Sequence, residues 1–284
     1  MDDKHEGPLV SIGMPVFNEA RFIRESLDAL VKQDYGNIEL IISDNASEDD
    51  TGRICNDYAS RHDWIRYHRF DTNTGPASNF AYVLKHSHGK YFMWAAGHDL
   101  WSQNYVSECV KLLEPRDSAA LAFGTSSWID EHGETFNRES GWTDTRGMDI
   151  TARYFTVLWG NMHPILGIMR REFLGKCSLI NTVGSDLILL SQLVIQGDFL
   201  HAVNAHWSRR EFRVEQKYSD KLDRYKSREY GLASSAFSKL FPLARLPVEL
   251  IKGIWSAELP FTRKLAMLFL LLPTLPVKYL SGRH

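Results

Sequence analysis

Residues 90–101 read KYFMWAAGHDLW, an apolar run from Tyr91 to Ala96 that stops abruptly at Gly97, His98 and Asp99. Such a run bounded by turn residues is the pattern of a strand buried on both faces, here one that delivers a carboxylate to the rim of a sheet. In open α/β sheets ligands bind along that rim. A lone Asp at a strand end is as readily a turn former or a helix N-cap, and Ser102 and Asn104 mark a helix beginning just beyond it. The chain on either side has to decide.

Upstream, LVSIGM (residues 9–14) reads as a buried strand and Pro15 to Asn18 as the loop at its end. Asn18 stands where a cap would, before a helix from Glu19 to Gln33 with Phe22, Ile23, Leu27, Leu30 and Val31 at helical spacing. IELIIS (38–43) is a β-branched strand ending at Asp44 and Asn45, and Ser47 to Asp50 open the next helix. Residues 64–70 make a weaker strand, Asn73 to Ser78 a Gly/Pro-bearing loop and Asn79 to His86 a helix. The order β-α-β-α-β-α-β implies a mostly parallel sheet flanked by helices, because parallel neighbours need crossover connections. Its strand ends gather Pro15 to Glu19, Asp44 to Ser47, Asn73 to Ser78 and Gly97 to Asp99 into a polar crevice. With no GxGxxG after the first strand and no GxxxxGK[ST], neither a dinucleotide site nor a P-loop is indicated.

Downstream, a helix to Leu113 and a strand near 119–124 continue the alternation, and residues 127–147 read as a hairpin or long loop. Thr151 to Trp159 reads as a short helix and PILGIM (164–169) as a strand. VGSDLILLSQLVIQG (183–197) is an apolar helix with one acid, Asp186, in its first turn, where a simple N-terminal charge would also be favoured. After a strand at 199–207, Arg209, Arg210 and Arg213 form a cluster that suits either a solvated face or a diphosphate. Gln216 to Leu240 reads as a polar helix.

The last stretch changes character: five prolines lie between Phe241 and Leu280, and LAMLFLLLP (265–273) is too short and too interrupted by Pro273 and Pro276 to span a bilayer alone. Flanked by Arg263, Lys264, Lys278 and Arg283, it suits the plane of an anionic membrane surface, or an edge helix docked on the domain or on a second subunit. A chain of 284 residues with 44% apolar and 24% charged residues buries a sizeable core without staples. A formal charge of −2 gives no reason to expect a nucleic acid partner. Cys55, Cys109 and Cys177 are odd in number and widely spaced, which suggests neither a disulfide framework nor a zinc site and fits a reducing compartment. The polar start MDDKHEGPLV has no secretory-signal pattern.

Taken together, PLVSIGMPVFNEARFIRESLDALVKQDYGNIELIISDNASEDDT, NTGPASNFAYVLKHSHGKYFMWAAGHD and GSDLILLSQL resemble the inverting family 2 glycosyltransferases of the GT-A, Rossmann-like fold, over roughly residues 1–215. The resemblance implies a nucleotide-binding half (1–101), an acceptor half (102–215) and, outside it, a helical, partly amphipathic C-terminal extension (216–284). It implies transfer from a nucleotide-diphospho-sugar, UDP-linked, to a glycan or lipid-linked hydroxyl in cell-surface polysaccharide or glycolipid assembly. The implied place is cytoplasmic or peripheral on the inner face of the plasma membrane. Asp99 then matches the ligand of Mn²⁺ or Mg²⁺, a hard cation that one carboxylate and the diphosphate can hold together.

By the same resemblance Asp44 matches the acid that accepts from the base, a role an acceptor-only carboxylate suits. Pro15, Phe17 and Glu19 line the nucleoside pocket, and Asn73 and Ser78 lie near base and ribose; Arg209 and Arg210, read from the basic cluster rather than from the resemblance, are the candidates for the diphosphate. Asp186 matches the general base. His98 stands where the family usually carries an acid touching the donor, which raises the alternative of a protein that binds nucleotide-sugar or glycan without transfer. Trp94, Trp101 and Trp159 can stack on sugars, with core packing the default for Trp94. A nucleotidyltransferase on the same fold would need a basic Gly-rich N-terminal loop, which PVFNEARF does not resemble.

Overall fold

The computed structural model describes residues 7–136, 144–211 and 245–280. The helix expected over 216–240 and Arg213 lie outside them. In chain order the elements are β1 (Val10–Val16), α1 (Ile23–Val31), β2 (Ile38–Asp44), α2 (Thr51–Arg61), β3 (Ile65–Arg69), α3 (Pro76–Lys85), β4 (Tyr91–Trp94), β5 (Leu100–Trp101), α4 (Tyr105–Leu113), β6 (Ala119–Ile129) and β7 (Thr135–Phe136). There follow α5 (Ile150–Trp159), a 3₁₀ turn (His163–Leu166), β8 (Ile168–Arg170), α6 (Arg171–Leu174), α7 (Ser185–Gln196), β9 (Asp198–Arg210), α8 (Arg245–Ser256) and α9 (Phe261–Leu280).

Among the described residues the nine strands form one sheet, in the order β3-β2-β1-β4-β8-β6-β9-β5, with β7 paired to β6. The first half is parallel as expected: β1 pairs in parallel with β2 and β4, and β2 with β3. The second half is mixed. β8 runs antiparallel to both β4 and β6, β9 is parallel to β6, and β5 closes antiparallel on β9. Residues 100–101, expected to lead straight into a helix, are therefore a short strand, and the two halves of the chain share a sheet.

Packing on the two sheet faces gives two apolar cores. On one, Val10, Ile12 and Met14 of β1 meet Leu27 and Leu30 of α1, Tyr58 of α2 and Val106 of α4. On the other, Ile41, Phe92 and Phe199 meet Val83 of α3, Tyr154 of α5, Leu190 and Leu193 of α7, and Leu250 of α8. Gly13 on β1 faces this second core, where an added Cβ would sit 2.7 Å from Val83 and 2.8 Å from the Phe92 ring, so only glycine lets α3 lie this close.

Several boundaries depart from expectation for local reasons. β1 runs through Pro15, whose partner across the ladder is Ser43. Asn18 does not cap a helix. It sits at φ 53°, and α1 starts only at Ile23, because the Glu19 and Ala20 amides donate to Thr51 Oγ1 and Asp49 Oδ2 across the β2–α2 loop. Ser78 lies inside α3, which starts two residues earlier at Pro76, a residue suited to the first turn. The expected strand over 164–169 is mostly the 3₁₀ turn, and only Ile168–Arg170 pairs. α5 is capped by Asp149, which accepts from the Thr151 and Ala152 amides. α9 continues through Pro273 and Pro276. Among the described residues, no helix is long and apolar enough to cross a membrane.

Candidate active site

The ends of β1, β2, β4, β6 and β9 meet at one rim. Two non-glycine residues there hold left-handed backbone, Asn18 (φ 53°) after β1 and Ala46 (φ 63°) after β2. For Ala46 that conformation costs on the order of 1 kcal/mol, and it persists because the loops clasp each other. The Asn18 amide donates to Ser47 Oγ, and the Glu48 amide to Asn18 Oδ1. The next loop is tied in by Asn45, which donates to Asn73 Oδ1 and accepts from the Thr74 amide. Asn73 thus braces the rim. Ser78 is exposed and donates to the Thr74 carbonyl.

Asp44 is fully buried. Its Oδ1 accepts from the Ser47 amide and its Oδ2 from the Tyr67 hydroxyl, with Arg69 Nε 3.7 Å away. The expected contact with a base is not what this carboxylate makes: it holds the β2–α2 loop onto β3. Phe17, in contrast, is an exposed aromatic at the rim, while Pro15 is half-buried in β1. Arg69, at the end of β3, is a rim cation that the sequence reading passed over, although its place at a strand end was a usable signal.

Glu19 and His98 form a pair. His98 Nδ1 lies 3.0 and 3.1 Å from the two Glu19 carboxylate oxygens, and because a carboxylate only accepts, Nδ1 carries the proton. An acid at position 98 would have faced Glu19 with like charge, whereas the imidazole N–H satisfies it. Gly97 makes room, since a Cβ there would come within 3.0 Å of Glu19 Cγ. On the other side of the ring, Nε2 is 3.9 Å from Asp99 Oδ1.

Asp99 is turned inward. It is 1% exposed, Oδ2 accepting from Trp207 Nε1 at 2.9 Å and Oδ1 from the Arg210 amide at 3.0 Å, both on β9. Burial raises its carboxyl above the usual range, against the pull of His98, these two hydrogen bonds and Arg209. This is a fastener between the end of β4 and β9, not an open ligand. Among the described residues no three His, Cys, Asp or Glu side chains come together to hold a metal ion. With Asp99 buried and committed to Trp207 and Arg210, the one carboxylate expected to share a Mn²⁺ or Mg²⁺ with a diphosphate presents no open oxygen as folded. Asp99→Asn is expected to lower the unfolding free energy by about 1–3 kcal/mol, because an amide NH₂ would oppose one of the two donors. Urea denaturation reads this directly, and an unchanged midpoint with lost nucleotide binding would return Asp99 to the cleft.

The two arginines part company. Arg210 is buried: Nε donates to the His98 carbonyl, NH1 to the carbonyls of Asp130 and Glu131, and NH2 to Glu25 at 2.6 Å. Those bonds commit it to joining β4, β6 and α1, and the expected diphosphate role falls away. Arg209 is half-buried, its guanidinium 4.6 Å over the Trp128 ring, a contact worth about 0.5–1 kcal/mol. Trp128 was missed in the sequence because only the β6–β9 register, Trp128 opposite Arg209, brings the two together.

Asp186 lies in the first turn of α7, after Gly184 at φ 80°. It is exposed to solvent yet hemmed by protein, and the resulting desolvation raises its carboxyl, against the Ser185 hydroxyl and the charge of Arg209. Arg209 thus acts on both Asp99 and Asp186, residues far apart in the chain. Of the tryptophans, Trp94 and Trp101 are core, and Trp159 is 38% exposed.

Residues 11–177, more than half of the chain, match the family described as Glycosyl transferase family 2. The chain belongs to that family. An uncharacterized glycosyltransferase of Rickettsia felis is 35% identical over 130 residues, which are 45% of this chain and 21% of that relative. The chain therefore matches about a fifth of the length of that curated relative. Among solved structures, S. aureus TarS 1–349 in complex with UDP-GlcNAc superposes with a TM-score of 0.66 at 16% identity, covering 93% of this family 2 member and 71% of TarS. The mannosyltransferase PcManGT from Pyrobaculum calidifontis, in complex with GDP-Man and Mn²⁺, gives 0.56 at 18% identity, covering 99% and 78%. At these identities the likeness is one of fold, and it extends the α/β assignment of this family 2 chain to the GT-A architecture of TarS.

Proposed function

We propose that this chain moves a sugar from a nucleotide-diphospho-sugar, UDP-linked, to a hydroxyl acceptor with inversion, on the cytoplasmic side of the membrane in cell-surface polysaccharide or glycolipid assembly. The observation that carries the reading is the placement of Asp186, an exposed carboxylate in the first turn of α7 within reach of the charge of Arg209; the surrounding protein also raises its carboxyl. In the reaction the acceptor oxygen bonds to the anomeric carbon as the sugar–phosphate bond breaks. The acceptor proton goes to Asp186 and the bonding pair leaves with the diphosphate. Arg209, held by Trp128, supplies positive charge to the leaving group. Exposed Phe17 offers a face for the nucleoside.

The neighbour's Mn²⁺ belongs to that neighbour. Here no step is assigned to a cation, because Asp99 has both oxygens engaged. The inward turn of Asp99, the carboxylate expected to hold the cation, favours a second reading, a protein that binds nucleotide-sugar without transferring it. Purified protein incubated with UDP-, GDP- and dTDP-sugars, with and without Mn²⁺ or EDTA, is expected to release UDP above the uncatalysed rate. Calorimetric binding of UDP with no release from any donor over a broad acceptor panel would establish the second reading instead.

A further inference from the structure

α9 is apolar on both sides, and only one side is covered. Met267, Leu271 and Leu275, spaced at i and i+4, are buried against the domain. The opposite side carries Phe261, Leu265, Phe269, Leu272 and Val277, of which Phe269 is 77% exposed. A helix apolar all round is normally buried all round. The stripe runs about 24 Å at 1.5 Å per residue. It continues onto α8, where Trp255 is exposed and its ring meets Phe261 edge to face at 6.1 Å.

Charge identifies what covers this face. Lys252 on α8 and Arg263 in the first turn of α9 are exposed, Lys252 pairing with Glu249 at 3.2 Å and Arg263 acting on Asp149, and no Asp or Glu follows Glu258 in the sequence. Lys264 is placed at the junction of the two helices by donating to the Trp255 carbonyl at 2.7 Å. Aromatic rings beside cations, over aliphatic side chains that have no polar partners, match the headgroup zone of a bilayer with anionic lipid. We propose that the uncovered face of α8 and α9 lies in such a membrane surface, side chains inserted and cations among the lipid phosphates.

The placement deepens the functional reading, on which this next step rests. α8 packs on the start of α7, with Leu246 lying 3.0 Å from where a Cβ on Gly184 would be, two residues before Asp186. The element bearing the base is thus docked on the membrane-facing unit, and the acceptor that fits is a hydroxyl on a lipid-linked molecule presented from the bilayer.

Flotation of the full chain with phosphatidylglycerol/phosphatidylcholine vesicles tests the surface. The wild type is expected to float with the mixed vesicles and at least tenfold less with phosphatidylcholine alone or in high salt. Trp255→Ser together with Phe269→Ser is expected to abolish flotation, with UDP binding unchanged to show that the fold and the nucleotide site are intact. A chain that stays in the soluble fraction with both vesicles overturns the proposal, and a concentration-dependent dimer broken by the same substitutions would assign the face to a second copy. Absence of nucleotide release from a chain that floats would count against the transfer reading and leave the surface standing.

Discussion

Asp186→Asn is expected to reduce turnover by roughly 10²–10⁴-fold while leaving UDP binding close to wild type and the thermal midpoint unchanged or slightly higher. The amide keeps the shape of the side chain and loses only the capacity to take a proton. Folding raises this carboxyl, so the native state holds the proton more tightly than the unfolded chain does. The group's contribution to stability is therefore fully present at acid pH, is lost as pH rises from the unfolded to the folded value, and is an unfavourable term at neutrality. Removing the charge removes that term. Turnover should fall on the acid side as Asp186 protonates, at a pH above that of an ordinary carboxylate. Arg209→Gln should push this limb higher still, because the guanidinium favours the carboxylate. A variant that loses activity together with its thermal midpoint would mean Asp186 is structural. Full activity would mean another group is the base.

The largest stability effect is expected at Arg210. Arg210→Met retains much of the buried stem but strips the His98, Asp130 and Glu131 carbonyls and Glu25 of their donor. Charge-assisted hydrogen bonds are worth about 1.5–3 kcal/mol each, and Glu25, at 57% side-chain exposure, recovers most of its share from water. A net loss of about 3 kcal/mol or more is expected, measured by denaturant unfolding. Arg209→Met, one residue away, should cost well under 1 kcal/mol and act on the pH profile instead. Equal destabilisation by the two would contradict the division between a buried tie and a rim cation.

The sequence carried the order of elements because periodicity survives without tertiary information: the run ending at Asp44 and the run from Tyr91 to Trp94 are strands, and the spacing around Leu27 is a helix. What it could not carry was the direction in which a polar side chain at a strand end turns. Asp44 and Asp99 stand where a cleft-facing acid would stand, yet Tyr67 and Trp207, 23 and 108 residues away, draw them inward. The same holds for the pair of arginines, since on a strand neighbouring side chains take opposite faces and only the sheet's partners decide which face is wet. β5 and the antiparallel placement of β8 were equally hidden, because two- and three-residue strands have no period to detect.

That Asp198–Arg210 lies between β6 and β5 inside the sheet bears on how this protein can be cut. The stretch matched by the family ends at 177, ahead of α7, this strand and the pair of helices that cover Leu190 and Leu193. A fragment trimmed to that stretch would expose an unpaired sheet edge and the floor of a core, an invitation to aggregate rather than a minimal transferase. The span matched by the family description and the unit that folds are different lengths of this chain.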